Sequence, residues 1–241
     1  MSNPETFEPW TVLDTVLDAQ TPRILVYGPP GTGKSLTPCL WAQAHRHEVL
    51  AVTLTEETPM TELRGHFILR GNTFVWHDGL IARAWRLSHS HPAGVVIVLN
   101  EIDHAGGDVQ TFLHNALDDP EMARLDLPTG ETLRPAVGKV IVVATMNGRP
   151  EDLPDALRDR FPVALAMDTP NPKAIESLPA DLQTLAANAT TARDDDRKVT
   201  PRALYAFASL RDRVGAPMAA FAIFGQAGSD LLNAIALADR R

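Results

Sequence analysis

Short apolar runs separated by stretches of helical spacing recur through the first two thirds of the chain. Residues Arg23–Tyr27, 49–54, 95–99, 139–144 and 163–167 each read as a strand. Four of the five are nearly continuous rather than alternating, as strands covered on both faces are. Residues 35–44 and 110–117 read as helices between them, with Pro38 in the first turn of the former, where a missing N–H costs little. This alternation predicts a parallel sheet with helices on both sides.

Two hairpins interrupt the alternation. Residues 66–69 and 73–76 flank the turn Arg70-Gly71-Asn72, and residues 123–127 and 131–133 flank Pro128-Thr129-Gly130. Asp78-Gly79 opens a helix over 80–87, with Asp78 as the expected N-cap. Such projections either contact something outside the core or decorate an edge. After Met167 the pattern changes. Asp168-Thr169-Pro170-Asn171-Pro172 is a turn-rich break, and the segments 173–178, 180–187, Pro201–Val214, 217–224 and 229–239 then read as helices. Thr200 suits an N-cap, Pro201 and Pro217 suit first helical positions, and Gly215 suits a stop. The expected domains are therefore 1–168, an α/β core, and 169–241, a small α-helical unit. Between the second and third of these helices, Asp194-Asp195-Asp196 beside Arg193, Arg197 and Lys198 reads as a solvated loop rather than a binding patch.

Composition narrows the class. The 241 residues, 44% apolar and 22% charged, suit one α/β domain with an appendage. A net charge of −8 argues against a large nucleic-acid footprint. The single cysteine, Cys39, allows no intrachain disulfide and points to a reducing, cytoplasmic setting; on its helix it reads as a small buried apolar residue. The first eight residues carry Glu5 and Glu8 with no apolar core, unlike a signal peptide. The longest apolar run, 95–99, is far short of the about 20 residues that span a membrane. The pairs His45/His47 and His89/His91 have metal-like spacing but no cysteines nearby and read as solvated; His104 receives no role.

The chemistry lies at strand ends. Gly28-Pro29-Pro30-Gly31-Thr32-Gly33-Lys34-Ser35, followed by Leu36, matches G-x-x-x-x-G-K-[ST] with a strand before and a helix after. Its backbone N–H groups and the helix N-terminus suit a phosphate, Lys34 the β- and γ-phosphates of ATP, and the Ser35 hydroxyl Mg²⁺. Next, Val95-Val96-Ile97-Val98-Leu99-Asn100-Glu101-Ile102-Asp103 delivers polar residues to the C-terminal end of a buried strand, where ligands of open α/β sheets bind. Glu101 is placed to polarise a water, unless it is an ordinary acidic strand end. Asn100 stands where a carboxylate is expected near Mg²⁺; its amide oxygen can accept from Ser35 or a metal-bound water but carries no charge. Ala144-Thr145-Met146-Asn147-Gly148 ends the fourth strand, so Asn147 either orients the attacking water or simply forms a turn with Gly148. Arg158 and Arg160 in Leu157-Arg158-Asp159-Arg160-Phe161 are a helix end or an arginine finger acting on a neighbouring subunit. Arg202, in the first turn of its helix, opposes the helix dipole, which an anionic ligand would explain, unless the side chain is merely solvated.

The ordered set GPPGTGKS, VIVLNEID, ATMN, LRDRF and TPR resembles an AAA+ ATPase: Walker A, Walker B, sensor 1, arginine finger, sensor 2. The segment of about 62–80 resembles the helix-2 insert of the MoxR and dynein-related (midasin-like, AAA_5) branch, and that of about 123–133 its pre-sensor-1 hairpin. The resemblance implies a P-loop NTPase fold, a parallel five-stranded sheet flanked by helices with an α-helical lid. It also implies ATP and Mg²⁺ as cofactors and a homo-oligomeric ring, a hexamer, remodelling a protein client, with a von Willebrand A-domain protein as partner. By position it implies Lys34 and Ser35 for phosphate and Mg²⁺, Glu101 for catalysis, Asn147 as sensor 1, Arg160 or Arg158 in trans, and Arg202 as sensor 2. Asn100 departs from the family's Asp, which keeps a second reading open: a nucleotide-dependent switch or scaffold with weak hydrolysis. A nucleic-acid motor ranks third, because in and beside the hairpins only Arg70, Arg124 and Arg134 carry positive charge.

Overall fold

The computed structural model describes residues 7–188 and 199–238, so the acidic loop around 194–196 lies outside the described residues. Two units emerge: one of residues up to 28 together with 34–166, the other of 29–33 together with residues from 167 onward.

The first unit begins with a helix absent from the sequence reading, α1 (Pro9–Asp18). Its cap is Glu8, whose carboxylate accepts from the Thr11 N–H at 2.7 Å, and Trp10, Leu13 and Leu17 are buried. Strand β1 (Arg23–Tyr27) leads into the glycine-rich loop and α2 (Leu36–Ala44), which runs back to β2 (Glu48–Thr53). A short α3 (Met60–Arg64) and the hairpin β3 (Gly65–Arg70) and β4 (Thr73–Asp78) follow. Then come α4 (Leu80–Ser90), β5 (Val95–Asn100), α5 (Gly107–Ala116), a second hairpin of β6 (Leu125–Asp126) and β7 (Thr132–Leu133), β8 (Val140–Met146), α6 (Asp155–Arg158) and β9 (Val163–Ala166).

The five long strands form one parallel sheet in the order β2-β5-β8-β1-β9. All five expected strands are present. Central β5 is buried from Val95 to Leu99, so every position along it is apolar. Leu25, Ile97, Leu99 and Ala144 face one core with Ile81 and Trp85 of α4 and Phe112 and Leu113 of α5. Alternation turns Ile24, Val26, Val96 and Val98, also fully buried, to the opposite face.

Both expected hairpins form. In the first, Arg70 pairs with Thr73 across a two-residue turn in which Gly71 has φ 61°, a left-handed value glycine adopts without penalty. Asp78 is not the N-cap of α4; Gly79 occupies that position and no side chain caps it. Asp78 instead ends β4 and accepts from Trp76 Nε1 at 2.8 Å and Arg86 Nε at 2.6 Å. Arg86 also grips both oxygens of Glu131 at 2.7 Å, so one guanidinium ties the two hairpins to α4. Cys39 is half-buried rather than buried, and desolvation raises its thiol pKa. The histidine pairs join no metal-like cluster among the described residues.

The second unit holds α7 (Pro172–Glu176), α8 (Ala180–Asn188), α9 (Pro201–Val214), α10 (Ala216–Phe224) and α11 (Gly228–Ala238). Leu182, Leu204, Phe207, Ala219, Phe224 and Leu231 form its core. Thr200 caps α9 as expected, accepting from the Ala203 N–H at 3.2 Å. Asp181 on α8 pairs with Arg211 on α9 through both carboxylate oxygens. No helix among the described residues is long and apolar enough to cross a membrane.

Candidate functional site

The parallel register decides which strand ends meet. β1 and β8 pair Tyr27 with Met146, so Gly28 and Asn147 leave the sheet side by side. β5 and β8 pair Leu99 with Ala144, which sets Asn100 beside Thr145. Gly28, the acidic segment after β5 and the end of β8 therefore converge on one edge of the sheet.

The loop has the backbone its sequence calls for. Gly28, Gly31 and Gly33 have φ values of 132°, 83° and 106°, all in the region closed to most side chains. Lys34 is 7% exposed, and its ammonium donates to the Gly28 carbonyl at 2.8 Å and to Asn147 Oδ1 at 3.2 Å. Burial pushes its pKa down to about 8, against the raising pull of Asp103 and, after it, Glu101. Ser35 is the N-cap of α2, yet its side chain makes no cap hydrogen bond. Within the second unit, the Thr32 carbonyl accepts from the Asn171 N–H at 3.0 Å.

β5 ends in an abrupt change of backbone. Glu101 adopts φ 56° and ψ 49°, the left-handed region, at a cost of about 1–2 kcal/mol for a residue with a Cβ. A single 3₁₀ turn, Ile102–His104, follows. Strain of this kind concentrates where a side chain must be aimed. Asn100 Oδ1 accepts from the Thr145 hydroxyl at 3.4 Å, a partner that no local pattern names. Asp103 is 15% exposed; its Oδ2 lies 4.0 Å from His104 Nε2, while its Oδ1 is buried and has no hydrogen-bond partner.

The two candidate finger arginines differ. Arg160 donates from Nε to the His114 carbonyl and from Nη2 to His114 Nε2, both at 3.2 Å, and lies 3.7 Å from Asp118. Because a guanidinium only donates, His114 Nε2 is the acceptor in this pair. Arg158 is more exposed, at 37% against 23%, and pairs with Asp155 at 2.8 Å. Arg202 is exposed in the first turn of α9, in the second unit.

These features fit a magnesium-bound nucleotide. A glycine loop, a desolvated lysine, a free cap hydroxyl and an orphaned carboxylate oxygen beside the lysine form the donor and acceptor set such a group needs. Lys34 meets Asn147 at this edge and feels the charges of Asp103 and Glu101, Asn100 is held by Thr145, and Arg160 sits apart on His114.

Comparison with known proteins gives the family. The sequence profile of the AAA domain (dynein-related subfamily) matches residues 23–161, more than half of the chain. Protein NorQ of Paracoccus denitrificans (strain Pd 1222) is 30% identical over 152 residues, 62% of this chain and 53% of NorQ. Midasin of Giardia intestinalis is 28% identical over 149 residues, 57% of this chain but 3% of Midasin. The chain thus spans about half the length of one curated relative and a small fraction of the other. The crystal structure of a Cytophaga hutchinsonii protein superposes over 86% of this chain and 58% of its own, with a TM-score of 0.51 at 16% identity, which is a likeness of fold.

Proposed function

The chain belongs to the dynein-related subfamily of AAA domains, and we propose that it is an ATPase acting as one subunit of a homo-oligomeric ring, a hexamer, that couples ATP hydrolysis to remodelling a protein client. The contact of Lys34 with Asn147 beside Glu101 carries the catalytic part of this reading.

In the proposed mechanism the 28–35 loop and Lys34 hold the β- and γ-phosphates. The Ser35 hydroxyl would hold Mg²⁺, with Asn100 acting through water, and the bound cation would supply charge neutralisation on the phosphates. Glu101 takes the proton of the attacking water, Asn147 orients that water, and Arg202 serves as sensor 2. Arg160 exchanges His114 for the γ-phosphate of the neighbouring subunit, with Arg158 as its alternative.

A protein client is favoured by the β3–β4 hairpin, where Phe67, Leu69, Phe74 and Val75 are exposed together. One arginine, Arg70, accompanies them, which does not suit a phosphate backbone. The likeness to MoxR-type proteins supports a von Willebrand A-domain protein as partner. The test is steady-state ATPase measured beside the mass of the complex with a slowly hydrolysed ATP analogue. Tight ATP binding without turnover would favour the nucleotide-switch reading. A monomer at all concentrations with undiminished turnover would remove the ring.

A further inference from the structure

The residue at the end of β5 leaves a charge unaccounted for. Asn100 is neutral, and its side-chain oxygen is engaged by the Thr145 hydroxyl. Three residues on, Asp103 presents a carboxylate with one oxygen buried and unpartnered and the other at the margin of an ion pair with His104. A buried carboxylate oxygen without a partner costs free energy, so a group that satisfies it is missing from the protein itself. The chain path explains how Asp103 gets there. The left-handed Glu101 turns the backbone out of β5 into the 3₁₀ turn that carries Asp103, and that turn packs against β8. Asp103 lies close enough to Lys34 to exert the largest opposite-charge influence on it, ahead of Glu101.

We propose that Asp103 supplies the carboxylate which Asn100 lacks, accepting hydrogen bonds from the water shell of the divalent cation on the bound phosphates, while the Asn100 oxygen, beside its neutral water-mediated part, also holds Thr145. This rests on the nucleotide-site reading above and assigns the metal-side charge within it. Asp103 is a positioning residue: it acts through water and touches no reacting atom. Asp103 stands three residues after Asn100, beyond the left-handed Glu101.

The experiment is calorimetric titration of ADP into wild type, Asp103→Asn, Asn100→Asp/Asp103→Asn and Lys34→Ala across a Mg²⁺ series, with a parallel set in EDTA. In Asp103→Asn the Mg²⁺ concentration for half-maximal enhancement of affinity should rise by about 10- to 100-fold, the usual cost of losing an outer-shell partner of a metal. In EDTA the same variant should bind ADP at least as tightly as wild type, because one negative charge fewer faces the phosphates; a merely structural defect would weaken both. The double variant restores a carboxylate at 100 and should return the Mg²⁺ midpoint toward wild type. Should Asp103→Asn fail to fold, Asp103→Ser removes the same charge and is read in the same way. A wild-type Mg²⁺ midpoint in the neutral variant, with binding lost in Lys34→Ala, overturns the role of Asp103 and leaves the nucleotide site standing. A shifted midpoint that the double variant does not recover also overturns it, since the carboxylate would then not be exchangeable between the two positions. Absence of Mg²⁺-dependent ADP binding by wild type overturns both readings.

Discussion

The ammonium of Lys34 donates to Asn147 Oδ1 at 3.2 Å, across 113 residues of sequence. The β1–β8 register places the two there, and the Gly28 carbonyl at 2.8 Å completes a seat for a buried cation. A γ-phosphate entering this site would take Lys34 from Asn147, leaving the amide free for water. Under the proposed mechanism, the residue that reports the γ-phosphate is therefore also the one that holds the lysine before it arrives.

Lys34→Ala removes the charge that the loop centres on the phosphates. No measurable ATP binding should remain in calorimetric titrations that saturate wild type, because a desolvated charge-assisted contact contributes more than an ordinary hydrogen bond. Wild-type affinity in the variant would mean that the loop is not the site.

The depressed pKa of Lys34 also sets a pH dependence. Its folded value, about 8, lies below the ordinary 10.5, so the unfolded chain binds the extra proton between these values. The destabilisation is full below about pH 8 and disappears as pH approaches 10.5. Lys34→Met should therefore unfold at a higher temperature than wild type near neutral pH, and the gap should close above pH 8. A gap that is constant with pH in thermal scans would contradict this. ATP binding runs the other way and should weaken above pH 8, where Lys34 loses its charge.

Complementation tests the trans arginine. Arg160→Ala keeps its own Glu101, and Glu101→Gln keeps its own Arg160. Each homogeneous variant should bind ATP yet hydrolyse it poorly, since a trans arginine supplies about 10³–10⁵ in rate. Mixtures should recover part of the activity, and Arg158→Ala should lose less than Arg160→Ala. If mixed rings form and rate against mixing ratio stays flat, the finger assignment fails.

Asp181 and Arg211 clamp α8 to α9. Hydrogen bonding to Arg211 holds the Asp181 pKa below 3.8, so the stability it adds is present above the unfolded pKa and is lost as pH falls through the lower, folded value. Asp181→Asn should destabilise by about 1–3 kcal/mol at pH 7, the range for a hydrogen bond to a charged group. Chemical denaturation should show the difference from wild type shrinking below pH 3.8.

Phe67→Glu/Phe74→Glu places charge on the exposed hairpin, away from the strand ends. Basal ATPase should persist while stimulation by the client is lost. Unchanged stimulation would assign the client to another surface.

Some of this was legible in sequence and some was not. Strands such as 95–99 announce themselves because burial on both faces demands an unbroken apolar run. The glycine loop does so because three left-handed positions leave little choice of residue. Helix α1 escaped because its cap is Glu8, a residue type that rarely signals a helix start. Asp78 misled because a carboxylate before Gly79 looks like a cap, while its partners, Trp76 and Arg86, are set by the hairpin. The seat of Arg160 on His114 joins residues 46 apart, and the orphaned Asp103 oxygen depends on packing; no local pattern encodes either.

The left-handed backbone at Glu101 bears on how this protein would behave under laboratory evolution. Glycine occupies that conformation freely and asparagine tolerates it, so Glu101→Gly and Glu101→Asn relieve torsional cost while deleting the proposed base. A library sorted on heat resistance or soluble yield alone would enrich such variants, and its most robust survivors would be inert. Any campaign to harden the domain therefore has to couple its selection to phosphate release, or hold position 101 fixed from the outset.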